Sequence, residues 1–398
     1  MMASGTDAAH LPVALLIVFG SAKLLAEACE RIGQPGIVGE ILAGVLIGPS
    51  VFGWVYPDQT LSALAELGVM FLLFRVGLEV KASELMNVGG TAFIVASLGV
   101  AVPMGLGVLV MLWAGVSTIE ALFVGASLVA TSVGITAQVL AAKGFLQQRA
   151  SKVILAAAVI DDVLGLLVLA FVSSLAEGKV DYLKLISTAI LAGGFTVLIA
   201  KFGTPTMQRI IPRVEQRLRV SERQFNLALI LLFVLSVLAM KIGVAAIVGA
   251  FLAGMALSET VGHRAHDLAQ GINELLVPFF LAGVGLHIDL SAFQNRRVLG
   301  LSVVIVIVAI LSKLIGCGVG AWGLGRLDQL RVGAGMVPRG EVGMVVAQLG
   351  LTMGVIEKPI YAIVVFMTVV TTMAAPPLLK YAYRGCVPGV PKEEFELG

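Results

Sequence analysis

Apolar runs of roughly twenty residues, separated by short polar or Gly/Pro-rich breaks, recur along almost the whole 398-residue chain. Such a run crosses a bilayer as a helix, and a shorter one suffices where protein shields it. Read between the breaks, the pattern predicts thirteen spans, centred near residues 20, 43, 70, 101, 131, 164, 192, 233, 252, 279, 311, 342 and 369. The second and ninth are short, and the fifth and twelfth carry polar interruptions. The expected fold class is an all-α polytopic membrane protein.

Three of these segments recur at nearly one offset. IVGEILAG at 37–44 matches IVGAFLAG at 247–254, VGL at 76–78 matches VGL at 284–286, and GASLVATSVG at 125–134 resembles GAGMVPRGEVG at 333–343. Six spans per copy with one span between them force the second copy to cross in the opposite sense. An inverted repeat places a substrate site at the repeat interface near mid-membrane. Shared glycines also arise wherever membrane helices pack closely, but three matches in register argue for a repeat. The matching fifth and twelfth spans are both set to unwind. ATSVGIT at 130–136 carries hydroxyls and glycine at mid-span, and VPRGEVG at 337–343 puts Pro338 and Gly340 between charged residues. Proline removes a backbone donor and glycine weakens helix, so two crossed, partly unwound helices are expected. Their opposed dipole ends are compensated by Arg339 and Glu341. The hydroxyls of Thr131 and Ser132, with freed carbonyls, offer hard oxygen ligands to a small cation.

Charge sharpens the picture. Composition is 58% hydrophobic and only 13% charged, about half the charged share of a soluble domain. Asp161 and Asp162 nevertheless sit together within KVILAAAVIDDVLGLLVLAF, and Lys313 lies mid-span in LSVVIVIVAILSKLIGCGVGAW. An ionised group near the bilayer midplane costs several kcal/mol, and such residues usually mark an ion or proton path. Adjacent helix positions point about 100° apart, so one carboxylate can face Lys313 while the other faces a water-filled cavity. A fixed salt bridge that only pins two helices is the bland alternative. With the N-terminus outside and the C-terminus cytoplasmic, the inner segments hold about three times as many Lys and Arg as the outer ones, as the positive-inside rule requires. The basic run at 204–223 then lies along the cytoplasmic surface against anionic lipid. Residues 1–10 carry no signal-peptide pattern, and the short tail leaves no room for a regulatory nucleotide-binding domain. Cys29, Cys317 and Cys386 are far apart and read as unpaired. No phosphate loop, dinucleotide fingerprint or zinc-protease motif occurs, and neither an enzyme, a cofactor nor a nucleic-acid partner is expected.

Taken together, these residues resemble the bacterial sodium/proton antiporters of the second monovalent cation/proton antiporter family, of the NapA type. The resemblance rests on GEILAGVLIGP at 39–49, FLLFRVGLE at 71–79, LVATSVGITA at 128–137, AAVIDDVLGL at 157–166, Lys313, and MVPRGEVG at 336–343. It implies a homodimer in the bacterial inner membrane that exchanges Na+, or Li+, for H+. Dimer-domain helices would occupy 8–88 and 223–290, a mobile core 89–178 and 291–385, a linker helix 179–203, a basic connector 204–222 and a tail 386–398. Asp162 would be the principal carrier and Asp161 would pair with Lys313 when no cation is bound. Na+ would rest on Asp162, Asp161 and Thr131, with Ser132 close by. Related potassium-efflux proteins carry glutamine and electroneutral relatives asparagine before the carrier aspartate. Asp161 departs from both, which favours electrogenic sodium/proton exchange, with potassium/proton exchange as the alternative; a site neutralised in either loaded form suits an elevator movement of the core against the dimer domain. Arg75 is unusual in its motif and is expected to pair with Glu79 at i, i+4.

Overall fold

The computed structural model describes residues 7–32, 34–176, 182–215, 222–288 and 290–386. These fold into fifteen α-helices with two short 3-10 turns and no strand. In chain order they are α1 (Asp7–Arg31), α2 (Gly36–Ile47), α3 (Gln59–Leu78), α4 (Ala82–Trp113), α5 (Thr118–Ser127), α6 (Val133–Ala142), α7 (Arg149–Ala176) and α8 (Tyr182–Glu215). The second half comprises α9 (Arg223–Ile242), α10 (Ala246–Leu257), α11 (His263–Leu286), α12 (Arg296–Gly320), α13 (Arg326–Gly335), α14 (Glu341–Thr352) and α15 (Lys358–Ala382). Among the described residues, nine helices are long and apolar enough to cross a membrane. The short α2 and α10 match the second and ninth predicted spans. The pairs α5–α6 and α13–α14 are the two interrupted ones, each broken in the middle.

The repeat is visible in how glycines let backbones touch. A Cβ on Gly39 of α2 would strike the Leu25 carbonyl of α1, and one on Gly249 of α10 would strike the Leu235 carbonyl of α9. Likewise Gly44 of α2 abuts the Ala282 carbonyl of α11, while its counterpart Gly254 of α10 abuts the Phe74 carbonyl of α3. The same crossings are thus built twice from the same glycines, and the two-fold pattern read in the sequence is a packing pattern. Gly44→Ala is expected to destabilise the purified protein by about 1–3 kcal/mol, the usual effect of overpacking, seen as a fall in melting temperature in detergent. Gly89→Ala is its control: nothing lies within 4 Å of the added Cβ, so the helix propensity gained, up to about 1 kcal/mol, leaves stability equal or higher.

Helices α1, α2, α3, α9, α10 and α11 pack mainly with one another, and α4 to α7 with α12 to α15 form a second group. Direct contact between the groups runs through α6 against α3 and α15 against α2, and α8 bridges them, packed on α10 and α9 on one side and on α7 and α4 on the other. Two boundaries differ from the sequence reading. The polar stretch after Lys81 already belongs to α4, which starts at Ala82, so the break between third and fourth spans precedes residue 88. The basic connector expected at 204–222 begins as the last turns of α8, which continues through Pro205 and Pro212 to Glu215.

Charges inside the first group are paired. Lys23 Nζ of α1 lies 3.0 Å from Glu40 Oε1 of α2, which stabilises a carboxylate that is only 6% exposed. At the end of α3, Arg75 and Glu79 form the anticipated i, i+4 pair at 3.5 Å. Burial raises the Glu79 carboxyl above its ordinary range, with Arg75 opposing the shift.

Candidate functional site

Both broken helix pairs stop where their sequence withdraws helix support. α5 ends at Ser127 and α6 starts at Val133; α13 ends at Gly335 and α14 starts at Glu341. The five-residue gaps, 128–132 and 336–340, lie against each other, and the Ser132 amide donates to the Pro338 carbonyl at 2.8 Å. Such close approach requires Gly340, because a Cβ there would sit 2.7 Å from both Cβ and Oγ of Ser132. Gly340→Ala therefore forces the crossing apart. With about 1–3 kcal/mol of overpacking strain placed on the site itself, transport is expected to drop at least about tenfold while the protein still purifies as a folded species.

Freed backbone groups in a membrane interior need partners, and three threonines supply them. Thr136 Oγ1 donates to the Gly335 carbonyl at 2.6 Å, and Thr372 Oγ1 of α15 donates to the Arg339 carbonyl at 2.6 Å. The Arg339 amide in turn donates to Thr371 Oγ1 at 3.3 Å. Helix α15 thus holds the second break open. Sequence reasoning missed Thr371 and Thr372, whose only signal was their place in a polar TT step opposite a proline-containing span.

Arg339 is fully buried at this crossing, and its Nη2 donates to the Ala309 carbonyl of α12 at 3.0 Å. Its Nε and Nη1 meet no partner among the described residues. Glu341 opens α14, but its side chain lies outside the described residues.

The carboxylate pair divides as its helical geometry demands. Asp161 faces α12, where Lys313 Nζ lies 3.0 and 3.2 Å from its two oxygens; both side chains are fully buried. Asp162 turns the other way, toward the crossing. There it borders a cavity of about 10 Å³ with Thr131, Ser132, Gly340, Val342 and Ile247, room for a single water-sized body. Thr131 Oγ1 is buried and meets no hydrogen-bond partner among the described residues. The structure therefore brings together Asp162, Thr131 and Ser132 at one cavity, places Asp161 with Lys313 immediately beside it, and sets Arg339 at the crossing.

The first helix group closes the site from one side. Ile247 at the start of α10 borders the cavity, and Gly134 of α6 runs against Val69 of α3 and Phe280 of α11, where a Cβ would come within 2.9 Å of Val69 Cγ2. The cavity thus lies at the boundary between the groups.

Known proteins resemble this chain over nearly its whole length. Residues 15–381 match the family described as sodium/hydrogen exchanger, transmembrane. The high-affinity Na+/H+ antiporter NhaS3 of Synechocystis is 34% identical, the match covering 94% of this chain and 90% of that protein. The Na+/H+-K+ antiporter GerN of Bacillus cereus is also 34% identical, over 93% of this chain and 95% of that one. In three dimensions the chain resembles the sodium proton antiporter MjNhaP1 of Methanocaldococcus jannaschii, with a TM-score of 0.72 at 19% identity, covering 96% and 97% of the two chains. That likeness establishes the fold.

Proposed function

This chain belongs to the sodium/hydrogen exchanger family, an integral membrane transporter family, and from that premise we propose that it exchanges Na+, or Li+, for H+ with two protons moved per cation. The observation that carries the proposal is the dry Asp161–Lys313 pair set directly beside the cavity that Asp162 borders. Two titratable units then lie within reach of one cation site, where a single carboxylate would couple only one proton.

In the proton-loaded form, Asp162 is protonated and Asp161 is bound to the Lys313 ammonium. As cytoplasmic pH rises, Asp162 releases its proton and the cavity accepts Na+ on carboxylate and Thr131 oxygens, with Ser132 adjacent. Asp161 then leaves Lys313 for the cation, and the ammonium, without its counter-charge in a dry site, gives up the second proton. The sodium-loaded form carries one positive charge fewer than the proton-loaded form. Membrane potential acts on that difference with about 2.3 kcal/mol per 100 mV, so transport is electrogenic. Counting the bound cation, Asp161, Asp162, Lys313 and Arg339 sum to one positive charge in the proton-loaded form and to zero in the sodium-loaded form, and this near balance lowers the cost of moving them through the membrane.

The helix grouping supports an elevator movement, with α4 to α7 and α12 to α15 sliding against a scaffold of α1 to α3 and α9 to α11. The scaffold would pair with a second copy in a homodimer of the bacterial inner membrane, N-terminus outside and C-terminus cytoplasmic, with anionic lipid along the end of α8. The joint presence of Asp161, Asp162 and Lys313 supports placing the chain with the second monovalent cation/proton antiporter family. Potassium/proton exchange on the same scaffold is the second reading, favoured by the potassium in the name of the GerN relative.

Proton flux in reconstituted liposomes, driven in turn by Na+, Li+ and K+, separates the two. Sodium- and lithium-driven flux that responds to an imposed potential is the expected result. Flux driven by potassium alone would transfer the assignment to the second reading.

A further inference from the structure

Two connectors that join scaffold to core, α3 to α4 and α11 to α12, are repeat counterparts, and they are fastened differently. ELGVMFLLFRVGLEVKA at 66–82 aligns with ELLVPFFLAGVGLHIDL at 274–290, which pairs Val80 with Ile288 and Ala82 with Leu290. Carried forward, the match of IVGEILAG with IVGAFLAG pairs Ser50 with Thr260. Ser50 Oγ donates to the Ile288 carbonyl at 2.5 Å and accepts from the Leu290 amide at 3.1 Å. One hydroxyl just past α2 thus ties down the chain where it leaves α11 for the core. Thr260, just past α10, has a buried Oγ1 that meets no hydrogen-bond partner among the described residues. The helix crossings beneath these two hydroxyls are nevertheless built alike. A Cβ on Gly285 of α11 would strike the Ile41 carbonyl of α2, and one on its counterpart Gly77 of α3 would strike the Phe251 carbonyl of α10. The α3–α4 connector is held from the core instead: Gln147 Nε2, between α6 and α7, donates to the Glu79 carbonyl at 2.7 Å.

We propose that Ser50 and Thr260 are alternate latches for the movement of the core, positioning residues at opposite faces of the membrane. Ser50 is closed on its connector in this conformation; Thr260 closes on the Val80 carbonyl and the Ala82 amide in the other. The inference rests on the elevator reading. A core that slides past its scaffold turns at a few connector residues that absorb the backbone change. A hydroxyl that bonds a connector in one state alone biases the equilibrium toward that state. A buried hydroxyl without a partner costs stability, and closing the second latch relieves that cost at Thr260. The two copies of an inverted repeat can trade arrangements as the site changes face, so one latch opens as its counterpart closes.

The two latches make opposite predictions for the balance of conformations. Spin labels at two exposed positions, Leu16→Cys on α1 and Leu109→Cys on α4, report the distance between the groups by pulsed electron resonance. Cys29→Ser and Cys386→Ser remove competing thiols, and the buried Cys317 is left in place. Two distances are expected, their ratio changing between proton-loaded and sodium-loaded protein. Ser50→Ala should lower the population of the present conformation about fivefold, and Thr260→Val should raise it about fivefold, the effect of one ordinary hydrogen bond. Ser50→Thr keeps the hydroxyl and should keep the native ratio. Loss of packing alone would not drive the two variants in opposite directions. Shifts in the same direction, or an unchanged ratio in both variants, would overturn the latches and leave the elevator standing. A single distance under every ionic condition would remove the elevator reading itself, and the latches with it.

Discussion

Asp162→Asn abolishes sodium-driven proton movement, bringing flux in liposomes to the level of protein-free vesicles. Among the described residues that border the cavity, Asp162 alone titrates. Asparagine keeps the shape and one carbonyl oxygen but can neither carry the negative charge nor exchange a proton. Losing a charged partner weakens binding by about 1.5–3 kcal/mol, at least a tenfold loss of cation affinity, and the missing proton removes exchange altogether. The substitution is close to isosteric at a position only 6% exposed, so the melting temperature should change little. Near-normal flux in this variant would displace Asp162 as the principal carrier.

Lys313→Gln has the next largest effect, and of a different kind. Glutamine leaves the buried Asp161 carboxylate without its ammonium; removing one member of a buried pair commonly destabilises by about 3–5 kcal/mol. Asp161 answers either by taking up a proton or by opening its site to water. The variant is expected to be less heat-stable and to exchange one proton per cation, so that flux no longer responds to potential, or to lose exchange entirely. Current and proton flux recorded on the same liposomes distinguish the cases. A variant that is stable and whose flux depends on potential as strongly as before would leave the ion pair a structural pin.

Much of this was legible in the chain because membranes make charge conspicuous. Asp161, Asp162 and Lys313 stand out within apolar runs, and their partition between lysine and cavity follows from the 100° step of a helix. The crossing was legible from Pro338 and Gly340, which no uninterrupted span needs. The repeat was legible from Gly39, Gly44, Gly249 and Gly254, whose lack of side chains is what the helix crossings use. What escaped depends on contacts between distant segments. Thr371 and Thr372 look like ordinary helix threonines that bond back to their own turn, and only the fold reveals that they serve the Arg339 peptide. The Lys23–Glu40 pair likewise needed the α1–α2 packing. The extension of α8 past Pro205 and Pro212 escaped because proline removes helix donors, yet in this protein the helix continues through both.

The most direct test of two-for-one exchange is the reversal potential of proton flux in liposomes, with equal pH on both sides and a tenfold sodium gradient. Two protons per sodium predict that flux stops, and reverses beyond, at a potential of about 59 mV, the value for one net charge and a tenfold ratio. Flux that no imposed potential arrests would mean that one proton leaves per cation, and would contradict the Asp161–Lys313 pair as the source of the second proton.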